Sequence, residues 1–461
     1  MLFNSQVFLL LFLPLTLIAY YQLSQDRARR EWLLIGASLF FYGYWDYRLL
    51  PLLICSIVAN WFFANGIRGA ERKVIFVVGI ALNLFIIGIF KYANFFAGSL
   101  AWLFGEQHTP WNIILPLGIS FFTFQQISYL ADRFKGEAPE YGFREYFLYV
   151  SFFPQLIAGP IVRHNELIYQ LEASPRRPGM YERLSRGVTL LAIGLAKKVL
   201  IADTAGRIAD PLFSSAAEVS PSIIDAWMAA FAFTVQIYFD FSGYSDMAIG
   251  LALMFGLRLP INFNIPYRAT TIRDFWRRWH MTLSHFLRDY LYIPLGGGHH
   301  GLKRQSLALT VTMFLGGLWH GAGWTFVVWG MMHGVGLAAH AWWTKLSIFR
   351  LPVPAAWALT ILFVILGWVL FRANSFLEAI SILESMFGLN GLSLNTAKYG
   401  EPTYFILIGA AIALFGPSSQ EFALKREYDS RWAAFATASA LVLCTVLVGS
   451  GKHPEFIYFQ F

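Results

Sequence analysis

Two histidines and a dense set of arginines are the residues of this chain whose types and spacing suit chemistry. His320 lies in the stretch from Ser306 to Trp343, which holds no carboxylate, lysine or arginine. As one helix those 38 residues would measure about 57 Å at 1.5 Å each, nearly twice a hydrocarbon layer of about 30 Å. The chain therefore has to turn, and Gly321-Ala322-Gly323 is the expected place. A helix entering at Ser306 reaches His320 after roughly 21 Å, which puts this imidazole inside the membrane and short of the far face. A neutral imidazole can take a proton from a hydroxyl, which is general-base chemistry. Gly316, Gly317, Gly321 and Gly323 remove side chains around it, as either close helix packing or a narrow substrate path would require. His333 and His340 follow seven residues apart, near one helical face, as a polar stripe or as hydrogen-bonded packing residues.

His280 lies in RDFWRRWHMTLSHFLRDYLYIPL, where Phe275, Trp279, Phe286 and Tyr290 fall near one side and most arginines elsewhere. That is the pattern of an amphipathic helix at a membrane interface, on which His280 and Ser284, four residues apart, share a face. The surrounding stretch, Arg258–Arg304, is the most charged of the chain. Its arginines and lysines, among them Arg273, Arg277, Arg278, Lys303 and Arg304, suit a phosphate-rich ligand such as a nucleotide-containing coenzyme, or serve as interfacial anchors. Upstream, FDFSGYSDMAIG sets Asp240, Ser242, Ser245 and Asp246 in an apolar helix. Carboxylates at membrane depth are costly, so Asp240 and Asp246 mark either a site or a buried network satisfied by neighbouring polar groups.

The elements that position these residues follow from composition. Of 461 residues 57% are hydrophobic and only 13% charged, so lipid is the main solvent. Runs such as Val74–Phe90, Ile223–Phe239 and Ala355–Leu370 are long and nearly uncharged, and helices satisfy their backbone groups in hydrocarbon. The alternating pattern of an outer-membrane barrel is missing, and the chain reads as an all-α polytopic membrane protein with on the order of eleven spans. Val7–Tyr21 is not preceded by a basic residue and is followed by Arg27, Arg29 and Arg30, which predicts a retained first helix and an extracytoplasmic N-terminus. Arg68–Lys73 and Arg163–Arg186 then fall in the cytoplasm, while Ala93–Trp111, Thr204–Pro221 and the tail after Cys444 fall outside. This topology accounts for most of the formal net charge of +8, and no nucleic-acid partner is expected. Cys55 and Cys444 lie in apolar runs and read as small core residues, with no disulfide framework or metal cluster. Serine elbow, Walker loop, GxGxxG turn and HExxH are all missing. No tandem repeat or soluble appendage interrupts residues 1–461, which read as one membrane domain.

Six segments carry a resemblance: LPLGISFFTFQQISYLADRFKGE (115–137), FFPQLIAGPIVRH (152–164), FDFSGYSDMAIGLALMFG (239–256), NFNIPYRATTIRDFWRRWHMTLSHFLRDYLYIPLGGG (262–298), LGGLWHGAGWTFVVWGMMHG (315–334) and WVLFRANSFLEAI (368–380). In this order they resemble the membrane-bound O-acyltransferases, and within them the branch that acetylates bacterial polysaccharides of the alginate or peptidoglycan type. The resemblance implies a ring of spanning helices with re-entrant or interfacial helices around a central tunnel, in the bacterial inner membrane. His320 takes the family's essential histidine position and His280 its second histidine. Trp319, Trp324, Asn262, Asp240 and Asp246 are candidate tunnel-lining residues. The donor implied is cytoplasmic acetyl-coenzyme A, a substrate rather than a bound cofactor, with Arg273, Arg277, Arg278, Lys303 and Arg304 contacting its phosphates.

One departure is that His299 and His300 follow Gly296–Gly298, where similar proteins carry an Asn and a basic residue. Because no hydrolase-like domain is seen before Phe461, a separate extracytoplasmic partner of SGNH-hydrolase type, with a Ser-His-Asp site, is expected to complete transfer to the polysaccharide. Rival readings are D-alanyl transfer from a carrier protein to teichoic acid, and a proton-coupled transporter using Asp240, Asp246 and His320 as a relay.

Overall fold

The computed structural model describes residues 1–346, 349–391, 400, 402–425, 431–450 and 456–457, and among these the regular elements are all helical. Among the described residues five helices are long and apolar enough to cross a membrane: Tyr47–Gly66, Arg72–Leu103, Ile223–Met254, Val353–Arg372 and Arg431–Ser450. Phe8–Gln22 and Pro402–Phe415 are shorter apolar helices. Leu10, Leu11, Phe62, Val74, Phe85 and Leu359 lie exposed on them, the outward apolar surface that lipid would solvate. Two sequence readings are corrected here. Ala93–Leu103 is not loop but the continuation of the Arg72 helix, because its uncharged residues let the helix run on. Cys55 is exposed on the Leu50–Gly66 helix, while Cys444 is buried. Of the tail after Cys444, read as extracytoplasmic, the residues to Ser450 are the end of the Arg431–Ser450 helix, and beyond it only Phe456 and Ile457 are among the described residues.

The described residues group into two compact units. One comprises Met1–Ala192, Tyr244–Pro260 and the Arg431–Ser450 helix. Its core is aromatic, with Phe3, Phe8, Phe41 and Phe153 in mutual ring contact. Polar groups on its apolar helices are paired: Asn60 and Asn83 exchange side-chain hydrogen bonds of 3.2 and 2.6 Å, the kind of glue that holds helices together in lipid. Buried His164 bridges Asp132 Oδ2 at 3.2 Å and the Tyr141 hydroxyl at 2.9 Å.

The second unit, Ile193–Gly243 and Ile261–Glu427 with Phe456 and Ile457, carries both histidines of interest. Its helices are numbered here in chain order: α1 (Ile223–Met254, of which residues to Gly243 belong to this unit), α2 (Ile272–Arg278), α3 (Met281–Leu287), α4 (Gly301–His320), α5 (Trp324–Leu346) and α6 (Val353–Arg372). Helix α4 starts at Gly301, ahead of the expected Ser306, and ends on His320. Gly321 then adopts an extended conformation (φ −156°, ψ 147°), and α5 folds back against α4. Glycine makes this hairpin close: a Cβ on Gly317 would lie 2.9 Å from Gly330 Cα, and one on Gly334 would lie 2.7 Å from Thr310 Cα. Of the two readings of these glycines, close helix packing is the one the hairpin uses.

Candidate active site

His320 is the C-terminal residue of α4 and is 4% exposed. Its ring is walled by aromatic neighbours: Trp319 at a centroid distance of 4.9 Å, Trp329 of α5 at 5.2 Å and perpendicular, and Phe371 of α6 at 5.2 Å. The His280 ring lies 6.4 Å away. The turn after α4 is what permits this, since it brings α5 and its tryptophan back beside the residue that ends α4.

The RRWH segment is not the continuous amphipathic helix expected. It breaks at His280, whose φ of 42° is left-handed, so α2 and α3 are separate seven-residue helices too short to span a bilayer. His280 is the N-cap of α3 and donates no face to a shared helix; Ser284 lies one turn on and its hydroxyl donates to Trp279 O. The break is held from both sides. Trp279 is buried against Phe263 and Trp368, with centroids at 5.1 and 4.8 Å. Residues 262–264 run alongside, with Asn264 N–H donating to Arg278 O and Met281 N–H donating to Asn262 O, both at 2.9 Å. Ile265, on that neighbouring segment, has φ 47°, and these are the two non-glycine residues with positive φ among those described. Such conformations cost about 1–3 kcal/mol each and persist where the surroundings over-determine them, which is common at functional sites.

Asn262 fixes the chemical form of His280. Its Oδ1 accepts from Thr282 N–H at 3.3 Å and from the Thr282 hydroxyl at 2.9 Å, and lies 3.0 Å from His280 Nδ1. A backbone N–H donates to this atom, so it is the amide oxygen, and an oxygen in turn requires Nδ1 of His280 to carry the proton. Nε2 is then the nitrogen with the lone pair in the neutral ring. Burial pushes the His280 imidazole down to about 3, so it is neutral at physiological pH.

The structure thus brings His320, His280, Trp319 and Asn262 into one neighbourhood, with Asn262 positioning His280. Trp324, the first residue of α5, is 54% exposed. Asp240 sits in a different setting: its Oδ1 is 2.7 Å from Lys198 Nζ, which also lies 2.8 Å from Asp203 Oδ1, and its Oδ2 accepts from Ile457 N–H at 3.0 Å. All three charged side chains are buried, which is the structural-network alternative of the sequence reading. Asp246 is buried in the other unit. Arg273, Arg277 and Arg278 lie on α2, where Arg278 pairs with Asp274 at 2.9 Å, and Lys303 and Arg304 lie in the first turn of α4.

Sequence reasoning missed the walls. Trp329 and Phe371 carried no spacing signal of their own, and Thr282 was not singled out. His333 is buried, and its Nδ1 accepts from Trp276 Nε1 at 3.2 Å while its ring packs on Trp329 at 4.8 Å. Since indole N–H only donates, His333 holds its proton on Nε2 and is a neutral packing residue beside the site, not part of a polar stripe with half-buried His340.

Residues 78–381 match the family model of the membrane-bound O-acyltransferases. The chain is 38% identical to the peptidoglycan O-acetyltransferase of Helicobacter pylori, with 100% of this chain and 98% of that protein covered. It is 42% identical to the probable alginate O-acetylase AlgI of Pseudomonas aeruginosa, over 90% of this chain and 81% of that protein. A more distant similarity, 26% identity over 50% of this chain and 57% of the relative, links it to the teichoic acid D-alanyltransferase of Streptococcus thermophilus. Extended matches of this kind, joined to several apolar helices, make the chain a multi-pass member of the membrane-bound O-acyltransferase family and an acyltransferase.

Proposed function

We propose that this protein is the membrane O-acetyltransferase of a polysaccharide-modifying system, taking acetyl groups from cytoplasmic acetyl-coenzyme A and passing them to hydroxyl groups outside the bacterial inner membrane. The observation that carries the reading is the pairing of two buried histidines, 6.4 Å apart, one with its proton fixed on Nδ1 by Asn262. That spacing is too long for a direct hydrogen bond between the rings and suits an oxygen held between them. His320 acts as general base: it removes the proton of the acceptor hydroxyl as the oxygen attacks the thioester carbon. The carbon–sulfur bond breaks, and coenzyme A leaves as a thiolate that takes a proton. The single hydroxyl proton goes to His320, whose imidazolium then returns it to the thiolate, while His280, held by Asn262, borders the acceptor oxygen and positions it. Aromatic walls keep water from the thioester, whose hydrolysis would waste the donor.

Arg273, Arg277, Lys303 and Arg304 are the donor-phosphate contacts in this scheme, with Arg278 released from Asp274 when it joins them. The acceptor is a polysaccharide hydroxyl or the serine of an extracytoplasmic SGNH-hydrolase-like partner that relays the acetyl group, with both termini of this chain on that outer side. The names of the relatives, peptidoglycan O-acetyltransferase and alginate O-acetylase, support an acetyl donor and a polysaccharide acceptor. The test is release of free coenzyme A from acetyl-coenzyme A by the protein in lipid, with and without candidate acceptors, comparing the native chain with His320→Ala. Acceptor-stimulated release that the variant loses while keeping its fold supports the proposal. Equal release from both removes His320 from its role, and transfer from a D-alanyl carrier protein in place of acetyl-coenzyme A would replace the donor.

A further inference from the structure

A cavity of about 740 Å³ lies away from His320, between the C-terminal half of α5, the start of α6 and the residues that lead into α2. Its volume is in the range of small-molecule sites. The two ends differ in chemistry. Thr270, Thr271, His340, Thr344 and Arg350 supply hydroxyl, imidazole and guanidinium groups. Ala356, Leu359 and Phe363 form an apolar end. Among the described residues no carboxylate lines the cavity, so the polar end is built for an anion.

The mouth says where that anion comes from. Trp343, Phe349, Val353 and Leu359 line the cavity and are also exposed, and Trp343 and Phe349 meet edge to face at 4.6 Å. Val353 and Leu359 are on the spanning helix α6, whose exposed apolar side chains face lipid, and tryptophan with Lys345 and Arg350 near the helix ends is the signature of the headgroup level. A ligand entering here arrives from the bilayer. We infer that this cavity binds a membrane phospholipid with an anionic headgroup, its phosphate against Arg350 and the threonine hydroxyls and an acyl chain along Leu359 and Phe363. Phe363 forms the floor: its ring is 5.2 Å from that of His333, which packs on Trp329, the perpendicular wall of His320. A seated acyl chain braces this row of rings from the side opposite His320.

The experiment does not depend on the acyltransfer reaction. The full chain is reconstituted in bilayers of phosphatidylcholine with phosphatidylglycerol, extracted in mild detergent, and its retained lipid identified by native mass spectrometry. Phosphatidylglycerol is expected to be retained above its bulk share. Arg350→Gln should lower that enrichment about fivefold, the weight of one basic residue near an anionic surface. Ala356→Phe, which fills the apolar end, should abolish it; Ala339→Phe fills the cavity from α5 and replaces it if the first variant does not fold. Retention of both lipids in their bulk ratio, or equal retention by native protein and variants, overturns the inference. So does displacement of the retained lipid by coenzyme A, which would make the cavity a donor site.

Discussion

Two buried polar centres in the same unit are built on opposite electrostatic plans. Around Lys198, one cation meets two carboxylates within 2.8 Å, and the second oxygen of Asp240 is taken by a backbone N–H. Around His320, the buried groups are imidazoles among aromatic rings, and one of them is held neutral with a defined tautomer. A buried ion pair whose lone pairs are satisfied is committed to holding helices together, because releasing either partner strands a charge in low dielectric. A neutral imidazole strands no charge in the interior, and its lone-pair nitrogen can take up a proton in passing during a reaction. Under the proposed function this difference gives Asp240 a structural part and the histidines the chemical one.

The sharpest way to break this comparison is His320→Ala. Coenzyme A release should fall by about 10²–10⁴-fold, the usual weight of a positioned general base, with helicity and thermal stability retained. Activity within about threefold of native would end the assignment. Lys198→Met should do the reverse, destabilising the protein by about 3–5 kcal/mol through two uncompensated carboxylates. Detergent-solubilised thermal unfolding measures this, and the triple change Lys198→Met, Asp203→Asn, Asp240→Asn should recover most of the loss. If Lys198→Met left stability intact but abolished transfer, the Asp240 centre would belong to the mechanism.

Asn262→Ala is a smaller perturbation, removing the acceptor that holds His280 Nδ1–H. A fall of about tenfold in kcat with little change in donor KM is expected, equivalent to one hydrogen bond of about 1.4 kcal/mol. Asn262→Asp also keeps an acceptor but adds a charge that favours the imidazolium, so it should bring an acid limb into the pH profile, a readout that loss of packing alone would not give. The smallest effect concerns pH in the native protein. Because burial lowers His280 to about 3 from its ordinary 6.5, the unfolded chain binds the extra proton first as pH falls. Its contribution to stability is therefore flat above about pH 6.5 and is lost progressively below it. Ring titration by NMR of labelled histidine should show His280 without a transition between pH 5 and 8; a transition near 6.5 would place water at the ring.

The amino-acid sequence alone determined the membrane class, because uncharged runs such as Ile223–Phe239 and Ala355–Leu370 admit few structures besides helices in lipid. It also determined the hairpin after His320, since length against bilayer thickness forces a turn and only glycines offer one. Depth in an uncharged run drew attention to His320, whereas His280 gained its place chiefly from the family resemblance of the RRWH segment. What tertiary structure decided were relations between residues far apart in the chain. The left-handed break at His280 cannot be read from an amphipathic pattern, because it is imposed by the neighbouring strand of backbone at Asn262–Asn264 and by Trp279 locked against Trp368. Asn262 fixes a tautomer 18 residues away, and the Ile457 N–H meets Asp240 across 217. Local propensity carries no information about such pairs; packing, by choosing which polar groups face each other when water is gone, turned one carboxylate into an anchor and one imidazole into a neutral acceptor.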